Sequence, residues 1–195
     1  MVLGGRRLGW SSMVPESEYR KETHGFGYRI LNVGCGDDTF GTQRLDFAGG
    51  RGVTEIGLAT SMPYKDTSFD EVFGGNVLEH MPNALDFVLE CRRVLKPGGR
   101  LVLKTDHAAY LGYHLLGSRP GDYHTWHGRR PDDRHYGLYS VGHLRNLMAA
   151  ANLEVYRLFP YTDWTPKSVW GRLLGLVLPW VNYPRLWLEA RRPGS

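Results

Sequence analysis

Apolar and polar positions along the chain follow two alternating periods. Residues 29–33 form a short run that stays apolar up to a glycine, the pattern of a strand buried on both faces of a parallel sheet. Residues 43–47 and 52–58 are predicted as the second and third strands, and residues 68–74 as a fourth that runs into a loop. Over residues 82–95 the period changes. Ala84, Leu85, Val88, Cys91, Val94 and Leu95 recur at three- and four-residue steps, which puts them on one helical face. Pro82 suits the first turn of that helix, and Lys96-Pro97-Gly98-Gly99 ends it. Residues 100–104 read as a fifth buried strand. Ser140 is placed to cap a helix carrying Val141, Leu144, Leu147, Met148 and Ala151, with Asn152 as its left-handed end. Residues 153–159 and 185–190 complete the series as strands. Strand and helix in repetition predict an α/β, Rossmann-like, doubly wound sheet with right-handed crossovers, in one domain over residues 1–195.

In such a sheet ligands bind beyond the carboxyl ends of the strands, at the switch point. Those ends are residues 34–38, Asp46, residues 58–62, residues 75–80 and residues 105–107. Gly34 and Gly36 let the backbone turn tightly and approach a ligand without a Cβ in the way. Asp46, closing the second strand, can accept two hydrogen bonds from a ribose diol. A glycine pair of this kind is weak on its own, because a plain strand-to-helix turn has the same residues. The loop between the first two strands is also short, leaving little or no room for a helix there.

Composition narrows the functional classes. The chain has 195 residues, 42% of them apolar, enough for one core. Lys and Arg exceed Asp and Glu by 24 to 20, and the basic residues occur as scattered pairs such as Arg92-Arg93 and Arg129-Arg130. Nucleic acid is therefore not the expected partner. Cys35 and Cys91 have neither disulfide-framework nor metal-pair spacing, and no apolar stretch approaches the ~20 residues of a membrane span. A reducing, cytoplasmic setting is expected.

ILNVGCG (residues 30–36), LATSMPYKDTSFDEVFGGNVLEHMPN (58–83) and VLECRRVLKPGGRLVLKTDH (88–107) occur in order. Together they resemble the class I S-adenosylmethionine-dependent methyltransferases, in the small-molecule branch with GCG, LEH and LKPGG motifs. The resemblance is strong over residues 29–107. It is weaker beyond, where LWLEARRPG resembles the family's antiparallel last strand. It implies S-adenosylmethionine as cofactor, a ligand without a pyrophosphate, so no phosphate nest is needed. By analogy Gly34, Cys35 and Gly36 border the methionine moiety, Asp46 holds the ribose hydroxyls, Ser61 and Met62 flank the adenine, and Asn76 lies beside the methionine and sulfonium. The chain departs from the family pattern at three places. Asn32 stands where an acid usually precedes the first glycine, Asp38 occupies the third glycine position, and Gly57, Leu58 and Ala59 stand where an acid commonly meets the adenine amino group.

The resemblance implies methyl transfer to an oxygen or nitrogen atom of a small-molecule, glycan or lipid-linked acceptor, with RNA as the alternative acceptor and a non-catalytic binding module as the alternative class. Such transfer calls for alignment, exclusion of water and, for a protonated acceptor, a base near neutral pKa. Histidine suits that task. Six of the eight histidines fall between residues 107 and 143. His107, directly after the fifth strand, is the first candidate, and His80 of the LEH motif the second. Glu79 and His80 offer donors to a divalent ion, yet the glutamate that metal-using relatives carry three residues before Glu79 is Asn76 here. Hydrogen-bonded loop support is the favoured role of this pair, and the metal is left unknown. Residues 107–139, rich in Tyr, His and Gly, are expected to form an acceptor-binding cap. Residues 1–24 read as an arm, and Tyr19 within it or Tyr28 just after it could cover part of the cofactor site. Residues 163–184 hold an apolar insertion whose segment 169–181 would suit a membrane surface, a lipid-like pocket or a homodimer contact.

Overall fold

The structure is a computed structural model that describes residues 16–22, 24–111, 135–161, 178 and 183–194. Most of the expected cap, with His114, His124 and His127, lies outside the described residues. So do residues 1–15 of the arm, and the apolar insertion apart from Leu178 and residues 183–184.

Among the described residues seven strands form one sheet in the order β3-β2-β1-β4-β5-β7-β6. They are β1 (Ile30–Val33), β2 (Gln43–Asp46), β3 (Glu55–Ile56), β4 (Phe69–Gly75), β5 (Leu95–Asp106), β6 (Glu154–Tyr161) and β7 (Arg185–Arg191). The first five are parallel where they pair, and β7 runs antiparallel to both β5 and β6. The strand order reverses between β1 and β4, which opens a crevice at their carboxyl ends.

The described helices are α1 (Glu16–Tyr19), α2 (Ala84–Val94) and α3 (Val141–Ala150), with a 3-10 turn at Leu78–His80. Helix α2 starts two residues later than the sequence predicts. Asn83, in extended backbone, is its N-cap residue, so Pro82 lies before the helix. Its end falls as expected, and Lys96-Pro97-Gly98-Gly99 then bulges out of β5. Phe69 pairs with Leu95 and Glu71 already with Arg100, so the extra residues are absorbed at Gly98, whose φ is +78°. Ser140 caps α3 by accepting the His143 amide at 3.2 Å, and Asn152 ends it at φ +52°. The third strand keeps only Glu55–Ile56 of its predicted length, as an exposed edge.

Alternation along the central strands builds two cores. Val72, Leu101, Leu103, Leu186 and Leu188 face α2 and α3 in the larger one. Phe73, Val102 and Trp187 face the opposite side, where they meet Tyr19 of α1 and Tyr161. Residues 34–42 contain no helix, as the short loop predicts. Among the described residues α1 is the one helix on that second face, with Phe40 of the loop after β1 packed beside it. No helix among them is long and apolar enough to cross a membrane.

Candidate active site

The glycine turn is built on β1 and braced from β2. Gly34 and Cys35 donate their amides to the Leu45 carbonyl at 2.8 and 3.3 Å, and Gly36 donates to Asp46 Oδ2 at 2.8 Å. Gly34 (φ +66°) and Gly36 (φ +52°) are both left-handed. Their surroundings differ. A Cβ on Gly34 would sit 2.7 Å from Val77 Cγ2, so this glycine allows the loop after β4 to pack on the turn, whereas a Cβ on Gly36 would meet nothing within 4 Å. The open side of the turn is therefore at Gly36.

Asp46 is 9% exposed and also accepts the Ala48 amide, through Oδ1 at 3.0 Å. A carboxylate accepts about four hydrogen bonds, so these two leave further capacity. Phe47, Ile56 and Leu58 are exposed at the carboxyl ends of β2 and β3 beside it. Ser61 is exposed in the turn that follows, its amide bonded to the Leu58 carbonyl at 3.1 Å. Met62 is different. Its side chain is buried in the main core, and its amide donates to Glu90 Oε1 at 2.6 Å.

Asn76 follows β4 with φ +59°, its amide bonded to the Lys104 carbonyl at 2.7 Å. Its side-chain Oδ1 is buried and accepts no hydrogen bond among the described residues. Such an atom costs free energy unless a donor arrives.

Next to it the ends of β4 and β5 gather titratable groups. Glu79 is fully buried, Oε2 accepting from Thr105 Oγ1 at 2.7 Å, and its carbonyl accepts the Tyr136 and Gly137 amides at 2.7 and 3.2 Å. These bonds match the loop-supporting role expected of this residue. Burial first, and then the nearby Asp106, push its carboxyl up to about 7. Asp106 Oδ2 lies 3.0 Å from His135 Nδ1, an ion-pair distance without hydrogen-bond alignment, and the His135 ring meets His80 edge-on at 4.4 Å between centroids. His107 is 2% exposed. Its Nδ1 lies 3.2 Å from the Tyr183 carbonyl, an acceptor, so the ring proton belongs on Nδ1 and the basic lone pair on Nε2. Burial pushes this imidazole below its ordinary pKa. Sequence reasoning did not single out the Asp106–His135 pair. The two residues are 29 positions apart, and only the sheet edge brings them together. Among the described residues no group of three or more His, Cys, Asp or Glu is arranged to hold a metal ion.

The Tyr19 expectation turns out differently. Its hydroxyl donates to Glu71, deep between α1 and the sheet, and its ring packs against Phe40, Phe73 and Trp187. Tyr28 also reaches Glu71, at 3.3 Å. Tyr19 serves the second core, and the Tyr28 ring stacks on His24.

Comparison with known proteins agrees with this geometry. The methyltransferase domain family matches residues 44–103. Over 134 residues the chain is 36% identical to an uncharacterized methyltransferase of Mycobacterium sp. (strain JLS), covering 63% of this chain and 52% of the relative. Over 103 residues it is 45% identical to the 27-O-demethylrifamycin SV methyltransferase of Amycolatopsis mediterranei (strain S699), covering 40% of this chain and 38% of that one. The chain thus spans about half the length, or less, of these relatives. Among solved structures, geranyl diphosphate C-methyltransferase from Streptomyces coelicolor A3(2), in complex with Mg2+, geranyl diphosphate and S-adenosyl-L-homocysteine, superposes with a TM-score of 0.60 at 14% identity, over 91% of this chain and 79% of that one. An S-adenosylmethionine-dependent methyltransferase from Mesorhizobium loti gives 0.59 at 17% identity, over 85% of this chain and 91% of that one. At such identities the likeness concerns the fold. The sheet order with its antiparallel β7 is the class I methyltransferase fold of these structures, and residues 44–103, which include Asp46, match the methyltransferase domain family.

Proposed function

We propose that the protein transfers a methyl group from S-adenosylmethionine to an oxygen or nitrogen atom of a small-molecule, glycan or lipid-linked acceptor. The observation that carries this reading is the glycine turn, left open above Gly36 and tied by the Gly36 amide to a carboxylate with acceptor capacity to spare. The remaining groups fit the cofactor. Asp46 offers acceptors to the ribose diol, and the buried Asn76 Oδ1 offers one to the amino group of the methionine part. Exposed Phe47 and Leu58 offer apolar surface to the adenine, in place of the acid absent near Leu58. Ser61 and Cys35 border the same crevice, and Met62 supports it from the core.

The cofactor, when bound, supplies an electrophilic methyl on a sulfonium. The chain's own task is alignment and dryness. Gly34 allows Val77 to close on the turn, drawing the loop after β4 towards the cofactor, and the buried Glu79 and Thr105 hold that loop in place. A hydroxyl acceptor loses a proton as it attacks, and an ammonium-type acceptor must lose one beforehand to free the nitrogen lone pair. His107, neutral at physiological pH through burial and basic at Nε2, is the proposed base, with His80 beside His135 as the second candidate. The named acceptor of the Amycolatopsis relative, a demethylrifamycin, agrees with a small-molecule substrate.

Calorimetric titration with S-adenosylmethionine and S-adenosylhomocysteine tests the cofactor assignment. Binding to the wild type that is lost in Asp46→Ala is expected. A wild type that binds neither compound would remove the proposal and favour a non-catalytic module.

A further inference from the structure

A turn that opens a cofactor site usually continues into a helix, whose first amides and packing hold the turn in shape. Here residues 34–42 have no helix, and something else must hold it. Asp38, at the third-glycine position, does part of this work. Its amide donates to the Cys35 carbonyl at 2.8 Å, its Oδ1 accepts the Phe40 amide at 3.0 Å, and its Oδ2 accepts Asn32 Nδ2 at 3.2 Å. The same carboxylate receives Arg20 in a two-pronged contact, Nη1 to Oδ1 at 2.9 Å and Nη2 to Oδ2 at 2.7 Å. Paired contacts of this kind fix direction as well as distance.

Arg20 is itself held from three sides. Glu16, one helical turn earlier, accepts from its Nη2 at 2.6 Å and its Nε at 3.0 Å. The guanidinium lies over the rings of Phe40 and Phe73, 4.9 and 5.3 Å from their centroids. Glu16 is in turn anchored on β5 by Lys104 at 2.6 Å. Tyr19, between these residues, is 2% exposed in the second core. An unbroken series of contacts thus runs from β5 through Glu16 and Arg20 to Asp38 in the turn. Burial alone would push the Asp38 carboxyl up, but Arg20 and the Phe40 amide outweigh it and hold it below its ordinary value, so the pair is charged at neutral pH.

We propose that Arg20 is a positioning residue for the cofactor: through Asp38 it keeps the glycine turn in its binding shape, so the segment Glu16–Arg20 is part of the S-adenosylmethionine site. The inference rests on the methyltransferase reading above. It also accounts for an acid at a position where the family has glycine, because the missing helix is replaced by a clamp that needs a carboxylate. Affinity falls in proportion to the fraction of turns in the competent shape. Arg20 and Asp38 side chains are 29% and 31% exposed, so their pairing is only partly screened by solvent. Its loss is expected to weaken binding by about tenfold.

The test is calorimetric titration of the full chain with S-adenosylhomocysteine for wild type, Arg20→Ala, Arg20→Lys and Asp38→Asn, with the melting temperature of each recorded. The expected result is a dissociation constant about tenfold weaker for Arg20→Ala and Asp38→Asn, and an intermediate one for Arg20→Lys, which restores charge without the fork. A role in stability alone would lower the melting temperature and leave the affinity of the folded protein unchanged. Wild-type affinity in both Arg20→Ala and Asp38→Asn therefore overturns the inference. Should Arg20→Ala fail to fold, the near-isosteric Asp38→Asn decides by itself. A wild type that does not bind is a separate outcome, because it removes the cofactor reading and this inference with it.

Discussion

The buried carboxyl of Glu79 leads to a prediction about stability and pH. It faces Asp106 and Thr105 on β5, and His135 and Tyr139 on the segment before α3, with His80 next to it in its own turn. Below about 4.5 the carboxyl is neutral in the folded and unfolded chain alike, and its burial costs no ionisation energy. Between 4.5 and about 7 the unfolded chain releases this proton while the folded chain keeps it, so stability is lost steadily as pH rises through that window and levels off above it. The difference corresponds to about 3 kcal/mol. For a chain of this length that is a fall in Tm of roughly 6–12 °C. Glu79→Gln removes the titration and keeps the shape, since the amide oxygen can accept from Thr105 and the amide nitrogen can donate towards Asp106. His107, pushed below 6.5 by burial, gives the opposite slope, but equally in both proteins. The assay is thermal unfolding of wild type and Glu79→Gln from pH 4.5 to 8 at constant ionic strength. The two curves should diverge with rising pH, with the variant the more stable at pH 8. Parallel curves would refute the reasoning.

Gly34→Ala forces a side chain into φ +66° with its methyl 2.7 Å from buried Val77; a loss of about 2–4 kcal/mol in chemical denaturation is expected, together with weaker S-adenosylhomocysteine binding. Gly52→Ala places a Cβ 2.1 Å from the Asp38 carbonyl oxygen, a backbone atom that cannot swing aside; it should lower the unfolding free energy by about 1–3 kcal/mol. Ser140→Ala removes the acceptor of the His143 amide at the start of α3 and should cost about 1 kcal/mol by the same measurement.

Much of this protein follows from local sequence. The apolar run into Gly34, the three- and four-residue steps of α2, the Ser140 cap and the left-handed Asn152 each depend on neighbours a few positions away, so period and capping chemistry suffice to place them. Gly34 and Gly36 after β1, and Asp46 at the end of β2, could be placed at the ends of consecutive strands for the same reason. The short first loop also announced the missing helix. Three things depended on tertiary structure. Met62 entered the core because the loop after β3 folds back under Glu90 and Arg93. Asp106, His135 and Glu79 became one buried cluster because the end of β5, the residues before α3 and the turn after β4 converge at one edge of the sheet. Arg20 found Asp38 because α1 packs where the absent helix left a sheet face uncovered, and Tyr19 fills that face. Periodicity carries no information about partners across the sheet. Those pairings are set by which surfaces must be buried and which charges must be compensated, and both are decided only once the strands have taken their order.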